Sequence, residues 1–229
     1  MTPQDLFRKN SLLTDLPADH VRELLRYAVV KTYAAGAVVI RQGDVADGLY
    51  GVLSGRLTVT FETAEGRDLI IGMRMPGQLF GEFALIDGAT RSATVVARDA
   101  STVLFIARHI ILPFLYRHPE LMLRLAVYMS ARMRRGTEHI ADVSLLGVLP
   151  RLAKALIALA GANVAEAAVS VSQDELSRML GVSREIVNRQ LALWREGGLV
   201  KLARGRIILV DDGVIRRIAG TGEVPTRRD

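Results

Sequence analysis

The feature that most constrains what this chain can fold into lies near its middle. Met122, Ala126, Met129, Met133, Gly136, Ile140, Val143 and Gly147 recur at alternating spacings of four and three. That spacing predicts a helix from about Pro119 to Gly147 with one apolar seam along it. Arg132, Arg134, Arg135, Glu138 and Asp142 flank the seam, so the helix is not buried all round. Its small members, Ala126 and Gly136, leave room for another backbone. Such a seam is covered either by the helix's own domain or by a second copy of the chain. A glycine-punctuated, strand-like region precedes it and a basic, helix-rich region follows, and these neighbours favour the homodimer.

The 229 residues are enough for a sizeable core and two domains. There is no cysteine, which excludes disulfides, thiolate zinc sites, cysteine-ligated clusters and a cysteine nucleophile. No segment resembles a signal peptide, and no apolar run approaches the roughly 20 residues of a membrane span. A cytoplasmic protein with no membrane partner is expected. The net charge of +6 is uneven: residues 1–111 hold 12 Lys and Arg against 12 Asp and Glu, and residues 112–229 hold 18 against 12. The excess in the second half suits an anionic partner such as nucleic acid.

Residues 4–29 read as short helices, with Leu12, Leu13, Leu16, Val21, Leu24 and Leu25 as apolar positions and Pro17 opening the second. From Tyr33 the pattern becomes short alternating runs: Val38 and Ile40; Leu57, Val59 and Phe61; Leu69 and Ile71; then Val95, Ala97, Val103 and Phe105 to about Ile106. Glycines at near-regular intervals separate them, as expected of a small sandwich or jelly roll. Glu62 to Asp68, with Gly66 inside, reads as a hairpin loop.

One segment of that region, Phe80 to Thr94, is neither ordinary strand nor turn. It sets Glu82 and Arg91 in small and apolar company, where a charge must be satisfied. Either the two pair or face water, or they serve a ligand. Arg91 offers a rigid fork of five donors suited to phosphate, Ser92 adds a hydroxyl, and the backbone at Gly81 lets an anion approach. Glu82, accepting only when ionised, suits a sugar hydroxyl. Together they describe a site for a phosphate joined to a ribose.

Beyond the long helix, Pro150 favours a new helix over Arg151 to Ala160, and residues 162–172 read as a loop and short strand. Ser172 and Glu175 form a capping box that opens a helix through Leu180. Gly181 allows a tight turn, and Ser183 can cap a second helix, Arg184 to Glu196, which stops at Gly197 and Gly198. Leu176, Leu180, Val182, Val187 and Leu191 are spaced to fill the angle between the two, with the small Ser177 at their close approach. Leu199 to Val210, interrupted by residues 203–206, reads as a hairpin wing. Between Leu176 and Arg206 lie seven Lys or Arg and two Glu. A basic helical hairpin of this kind is either a protein-interaction module or a DNA reader. The early turns of the second helix put Arg184, Glu185, Asn188 and Arg189 on one polar side that can enter a major groove. Arginine can bind guanine O6 and N7, and glutamate can accept from cytosine N4.

The cassette Gly81-Glu82 with Arg91-Ser92-Ala93 resembles the phosphate-binding segment of cyclic-nucleotide-binding domains. The whole chain resembles bacterial transcription regulators of the catabolite activator and fumarate-nitrate regulator superfamily. The resemblance implies an α+β fold: a β-roll (jelly-roll) sensor domain over 1–118, a dimerisation helix and hinge over 119–147, and a winged helix-turn-helix domain over 148–229. It implies that Glu82 binds the ribose 2'-hydroxyl while Arg91, Ser92 and the Gly81 backbone hold a cyclic phosphate, with Val59 and Ile71 near the nucleotide. Arg184, Glu185 and Arg189 match the family's base-reading triad for a half-site of the type TGTGA. Ser183, Asn188, Gln173 and the wing residues Arg204 and Arg206 complete the expected DNA surface, and RNA polymerase is an implied partner. Asn188 and Gln173 depart from the catabolite activator's glycine and arginine, so the flanks of the preferred site differ. In the long helix Gly136 and Thr137 stand where that protein presents adjacent threonine and serine hydroxyls to adenine. Thr137 keeps a link to the nucleotide of the other subunit, or else bonds back to its own helix.

These readings make the chain a homodimeric, DNA-binding regulator controlled by a cyclic nucleotide, cyclic AMP before cyclic GMP, with a cyclic dinucleotide third. Two alternatives stand beside it: a regulator of the same fold that answers to another ligand or to none, and a nucleotide-binding signalling protein that does not bind DNA. No catalytic motif is present. His20, His109, His118 and His139 lack the close spacing of a zinc pair and read as surface or structural residues, with no metal site expected.

Overall fold

The computed structural model describes residues 1–10, 12–14, 16–161 and 168–221. The chain divides into two compact units, residues 1–133 and 134–229.

The first unit opens with α1 (Pro3–Lys9), held by a capping box between Thr2 and Asp5, and α2 (Ala18–Arg26), for which Pro17 is the N-cap. There follow β1 (Val29–Tyr33), β2 (Val38–Ile40), β3 (Gly48–Ser54), β4 (Leu57–Glu62), β5 (Asp68–Arg74) and β6 (Leu79–Phe80). The short α3 (Glu82–Asp87) precedes β7 (Thr94–Ala97) and β8 (Ser101–Ala107), then α4 (Arg108–Arg117) and the start of the long α5 (Pro119–Leu145). Two four-stranded antiparallel sheets result, in the orders β1-β8-β3-β6 and β2-β7-β4-β5. Val52, Leu57, Val59, Phe80, Val95 and Val103 form one core. A second core packs Leu6, Phe7, Leu24, Phe114, Leu121 and Leu125 of the helices against Leu49, Leu104 and Ile106.

Three details depart from the sequence reading. The first strand begins at Val29, not near Tyr33. The most buried strand, β3, carries no alternation because its residues from Gly48 to Leu53 are all buried, as in a strand covered on both sides. In β5 the buried residue is Ile70, while Ile71 is 49% exposed. A register shift between Val59 and Thr60 separates the pairs Val59 to Gly72 and Thr60 to Ile70. An extra residue in one strand re-aims the side chains beyond it, which a consecutive Leu-Ile-Ile run does not reveal.

The long helix spans Pro119–Leu145 as one element. Its first turns bury Leu121 and Leu125, and the Tyr128 hydroxyl donates to the Leu79 carbonyl at 3.3 Å. Further along, Met133 is 77%, Ile140 67% and Val143 50% exposed in the single chain.

In the second unit α6 (Val148–Ala160) starts earlier than Arg151, with Gly147 as N-cap and Pro150 in the first turn, where no intrahelical donor is missed. Residues 162–167 of the expected connection lie outside the described residues, while β9 (Ala168–Val169) supplies the short strand. Then come α7 (Gln173–Leu180), α8 (Arg184–Glu196), β10 (Val200–Ala203), β11 (Arg206–Leu209) and α9 (Asp212–Thr221). The wing hairpin pairs Ala203 with Arg206, and β9 adds to its β11 edge. Leu152, Leu156, Leu176, Val187, Leu191, Trp194, Ile215 and Ile218 form the core. The fold is therefore α+β, with an N-terminal β-roll, a long helix and a C-terminal winged helix-turn-helix. Among the described residues no helix is long and apolar enough to cross a membrane.

Candidate ligand cavity and nucleic-acid interface

Phe80 ends the short strand β6, and Gly81 turns the chain into α3 with φ of +83°. A Cβ there would lie 2.6 Å from Arg91 Nη1, so glycine answers both the left-handed backbone and the crowding. Arg91 is fixed at both levels. Its N–H donates to the Asp44 carbonyl at 2.8 Å and its own carbonyl accepts from Gly43 at 2.8 Å. Its guanidinium, on a residue only 4% exposed, donates to the Gly81 carbonyl at 2.8 Å, the Gly48 carbonyl at 2.8 Å and Asp47 Oδ1 at 2.5 Å.

Asp47 also accepts from the Tyr50 hydroxyl at 2.7 Å. Burial alone would push its carboxyl up, but the bonds from Tyr50 and Arg91 and the arginine charge prevail and hold it below the ordinary carboxylate range. Tyr50 moves the other way. Burial and the bond to Asp47 raise its phenol above the usual value, so it remains a donor.

A cavity of about 130 Å³ opens beside this frame. Gly81, Arg91, Ser92, Val59 and Ile71 all line it, joined by Arg74 and Arg132. None of its lining residues is acidic. Ser92 is exposed at the rim.

Glu82 is placed differently. It is fully buried and borders a separate apolar cavity lined by residues such as Leu12, Leu24, Leu85 and Phe114. Its Oε1 accepts from Arg132 Nη1 of α5, and Arg132 in turn lies over the Phe83 ring at 4.8 Å. Glu82 Oε2 is buried without a hydrogen-bond partner, leaving an acceptor unmet. So Glu82 and Arg91 do not pair with each other: each has a different partner. Thr137 is exposed on α5 and is not among the residues lining the Arg91 cavity.

Three of these contributors escaped the sequence reading. Arg132 was visible only as a flanking charge on the long helix, although a buried glutamate demands a cation from somewhere. Asp47 and Arg74 carried no signal at all.

In the second unit the capping box of α7 forms as expected: Glu175 N–H donates to Ser172 Oγ at 3.1 Å, and Ser172 N–H to Glu175 Oε2 at 2.8 Å. Ser177 is buried and donates to the Asp174 carbonyl at 2.8 Å. Ser183 occupies the N-cap of α8, but its hydroxyl makes no capping bond. It supports Glu185 instead: the Glu185 backbone N–H first, then the Ser183 hydroxyl, hold that carboxyl below its ordinary value. Arg184, Glu185 and Arg189 are exposed on α8, and Asn188 is partly buried between them. Gln173, Arg184, Arg204 and Arg206 converge on one groove of about 350 Å³ between α7, α8 and the wing. Asp174 is its one acidic lining residue.

Residues 30–118 match the cyclic nucleotide-binding domain family, and residues 150–218 match the Crp-like helix-turn-helix domain family. The cyclic AMP receptor protein of Thermus thermophilus is 29% identical over 208 residues, 91% of this chain and 96% of its own. The cAMP-activated global transcriptional regulator Vfr of Pseudomonas aeruginosa is 29% identical over 200 residues, 83% of this chain and 93% of its own. Among solved structures, the c-di-GMP-responsive global regulator CLP of Xanthomonas campestris superposes with a TM-score of 0.74 at 25% identity, covering 85% of this chain and all of that one. These relatives are regulators of transcription, not enzymes. The chain thus belongs to the Crp/Fnr family of bacterial DNA-binding transcription regulators, with a cyclic nucleotide-binding domain joined to a Crp-like helix-turn-helix domain.

Proposed function

We propose that this regulator works as a homodimer that binds a palindromic operator under the control of a 3',5'-cyclic nucleotide held in the β-roll, cyclic AMP before cyclic GMP. The observation that carries the proposal is the cavity bordered by Gly81, Arg91 and Ser92, with Arg74 and Arg132 beside them and no acidic lining. Three protein acceptors occupy three of the five N–H donors of Arg91, and the remainder, with the Ser92 hydroxyl, serve the cyclic phosphate. Arg132 holds Glu82 by one oxygen, and because Glu82 borders a separate cavity its unmet Oε2 serves the ribose 2'-hydroxyl only once Arg132 and α3 move to open it toward the nucleotide. Val59 and Ile71 give the base apolar cover, and Thr137 reaches the nucleotide of the partner subunit.

On the DNA side, Arg184, Glu185 and Arg189 read bases from α8, with Asn188, Ser183 and Gln173 at its margins and Arg204 and Arg206 on phosphates. The division of labour is 1–118 for sensing, 119–147 for dimerisation and 148–229 for DNA, with RNA polymerase as the downstream partner. A cytoplasmic location follows from that role.

Calorimetry of the purified, nucleotide-stripped protein with cyclic AMP and cyclic GMP tests the ligand. Saturable heat with one of them, and displacement of a fluorescent cyclic nucleotide, is expected. Neither signal at several temperatures would remove the claim. One observation favours a second reading, a regulator answering to another ligand, a cyclic dinucleotide included, or to none: Asp47 and two carbonyls already take three of the five donors of Arg91. Gly136, which takes a hydroxyl away from the adenine side, points the same way.

A further inference from the structure

The β-roll unit brings together two histidines that lie far apart in the chain. His20 sits in the first turn of α2, His118 caps the C-terminus of α4, and Glu120 lies in the first turn of α5. One ring nitrogen from each histidine and a carboxylate oxygen of Glu120 lie within 4.8 Å of one another. The imidazoles are 4.0 Å apart between centroids with their planes inclined at 52°, and His118 Nδ1 is 3.4 Å from Glu120 Oε1. Both rings rest on buried Phe114, at 5.7 Å and 4.5 Å, which walls the group on one side. His20 Nδ1 is buried and has no hydrogen-bond partner. A buried polar atom without a partner needs an explanation, and a bound ion or water is one.

We infer that His20, His118 and Glu120 form a binding site for a divalent transition-metal ion, with Zn²⁺ the best match. Two imidazoles and one carboxylate are a donor set that zinc accepts, with a water completing a tetrahedron. Ligand atoms about 2.1 Å from a tetrahedral zinc stand about 3.4 Å from one another, the separation already present between His118 and Glu120. The remaining separations, within 4.8 Å, must shorten by side-chain movement for one ion to be held. Magnesium and calcium, which prefer all-oxygen shells, are poor matches for two imidazoles. The neighbouring charges do not compete, since Arg22 is paired with Asp19 and Arg117 with Glu23. A bound ion ties α2 to the turn at which the long helix begins, so its effect is to stiffen the root of α5 independently of any nucleotide.

The test uses the full-length, tag-free protein stripped of metal with a chelator that is then dialysed away. Titration with Zn²⁺ alone should give one tightly bound ion per chain and raise the thermal midpoint, because a ligand that binds only the folded state stabilises it. Co²⁺ should give the intense visible absorption of a four-coordinate complex, whereas Mg²⁺ should do neither. His20→Ala and His118→Ala should each weaken Zn²⁺ by at least tenfold and abolish the thermal shift. Glu120→Gln, at an exposed position where folding is not at stake, should weaken it severalfold and serves if a histidine variant fails to fold. His109→Ala and His139→Ala should bind as the parent does. Absence of saturable Zn²⁺ binding overturns the inference, as does binding that survives the first three substitutions or is lost in the last two.

Discussion

Asp47 bears on the cavity because it holds the guanidinium that the ligand would use. Its folded-state pKa is depressed, so the stability it contributes is present above the ordinary carboxylate range, about pH 4, and is lost as pH falls through the lowered value. Asp47→Asn removes that contribution. Its deficit in thermal midpoint should be present at pH 7 and shrink as the medium is taken below about pH 4; a deficit that stays constant across the range would refute the assignment. Arg91→Ala asks a different question. It deletes the proposed partner of the phosphate, so cyclic nucleotide affinity should fall at least tenfold, about 1.4 kcal/mol, and unchanged affinity by calorimetry would locate the anion elsewhere. At this scale Gly81, Arg91 and Ser92 were legible as neighbours, since they lie within a dozen positions and do line one cavity, whereas Glu82, read together with them, borders another. The sequence did not carry Asp47, Arg74 or Arg132. Asp47 and Arg132 reach the site across a long stretch of chain, Arg74 lies at the end of a strand whose facing the sequence does not fix, and charge alone does not say which of many arginines meets a given buried carboxylate.

Elements were legible where one periodicity dominated. The capping box at Ser172, the two-helix angle of α7 and α8, the wing and the long helix all carry local signals that tertiary packing then reinforces. Strand β3 failed to show because burial on both sides removes alternation, whereas α9 does carry a helical spacing in Val214, Ile215, Ile218 and Ala219 that the sequence reading passes over. The long helix raises a sharper question, because its apolar residues serve two purposes. Leu121 and Leu125, with Met122 and Met129 of the seam, pack into the helix's own unit, Leu123 and Val127 are exposed on another face, and the later seam residues Met133, Ile140 and Val143 form an exposed row. A second copy covering that row accounts for an exposure that a monomer would not tolerate well. Ile140→Asp should therefore dissociate the dimer, since it would bury a charge without a partner, and it should leave the fold of each monomer intact because Ile140 makes no core of its own. Light scattering that returns a monomer mass for the parent at micromolar concentration would sink the dimer.

At the scale of the whole molecule the family places a nucleotide-binding domain and a DNA-binding domain on one chain, and control requires that the two affinities be coupled. A nucleotide gates the operator only if it binds the active and inactive states unequally, and the coupling is then reciprocal. Typical couplings of about 1–3 kcal/mol correspond to roughly 5- to 150-fold in operator affinity. The operator selected from a random DNA library should be a palindrome with half-sites centred about 34 Å apart, one turn of the duplex, if the dimer follows the usual helix-turn-helix geometry. Two classes of substitution then separate reading from holding. Arg189→Ala should cost about 1–3 kcal/mol of discrimination at one guanine. Removing Arg204 and Arg206 should weaken selected and scrambled DNA alike and flatten the dependence on salt, because phosphate contacts act through released counterions. The decisive titration measures operator affinity with and without saturating nucleotide, and nucleotide affinity with and without operator. Equal shifts in the two directions are expected. Nucleotide binding that leaves operator affinity unchanged would keep the site but defeat the switch, and equal affinity for operator and scrambled DNA would defeat the sequence-specific reading.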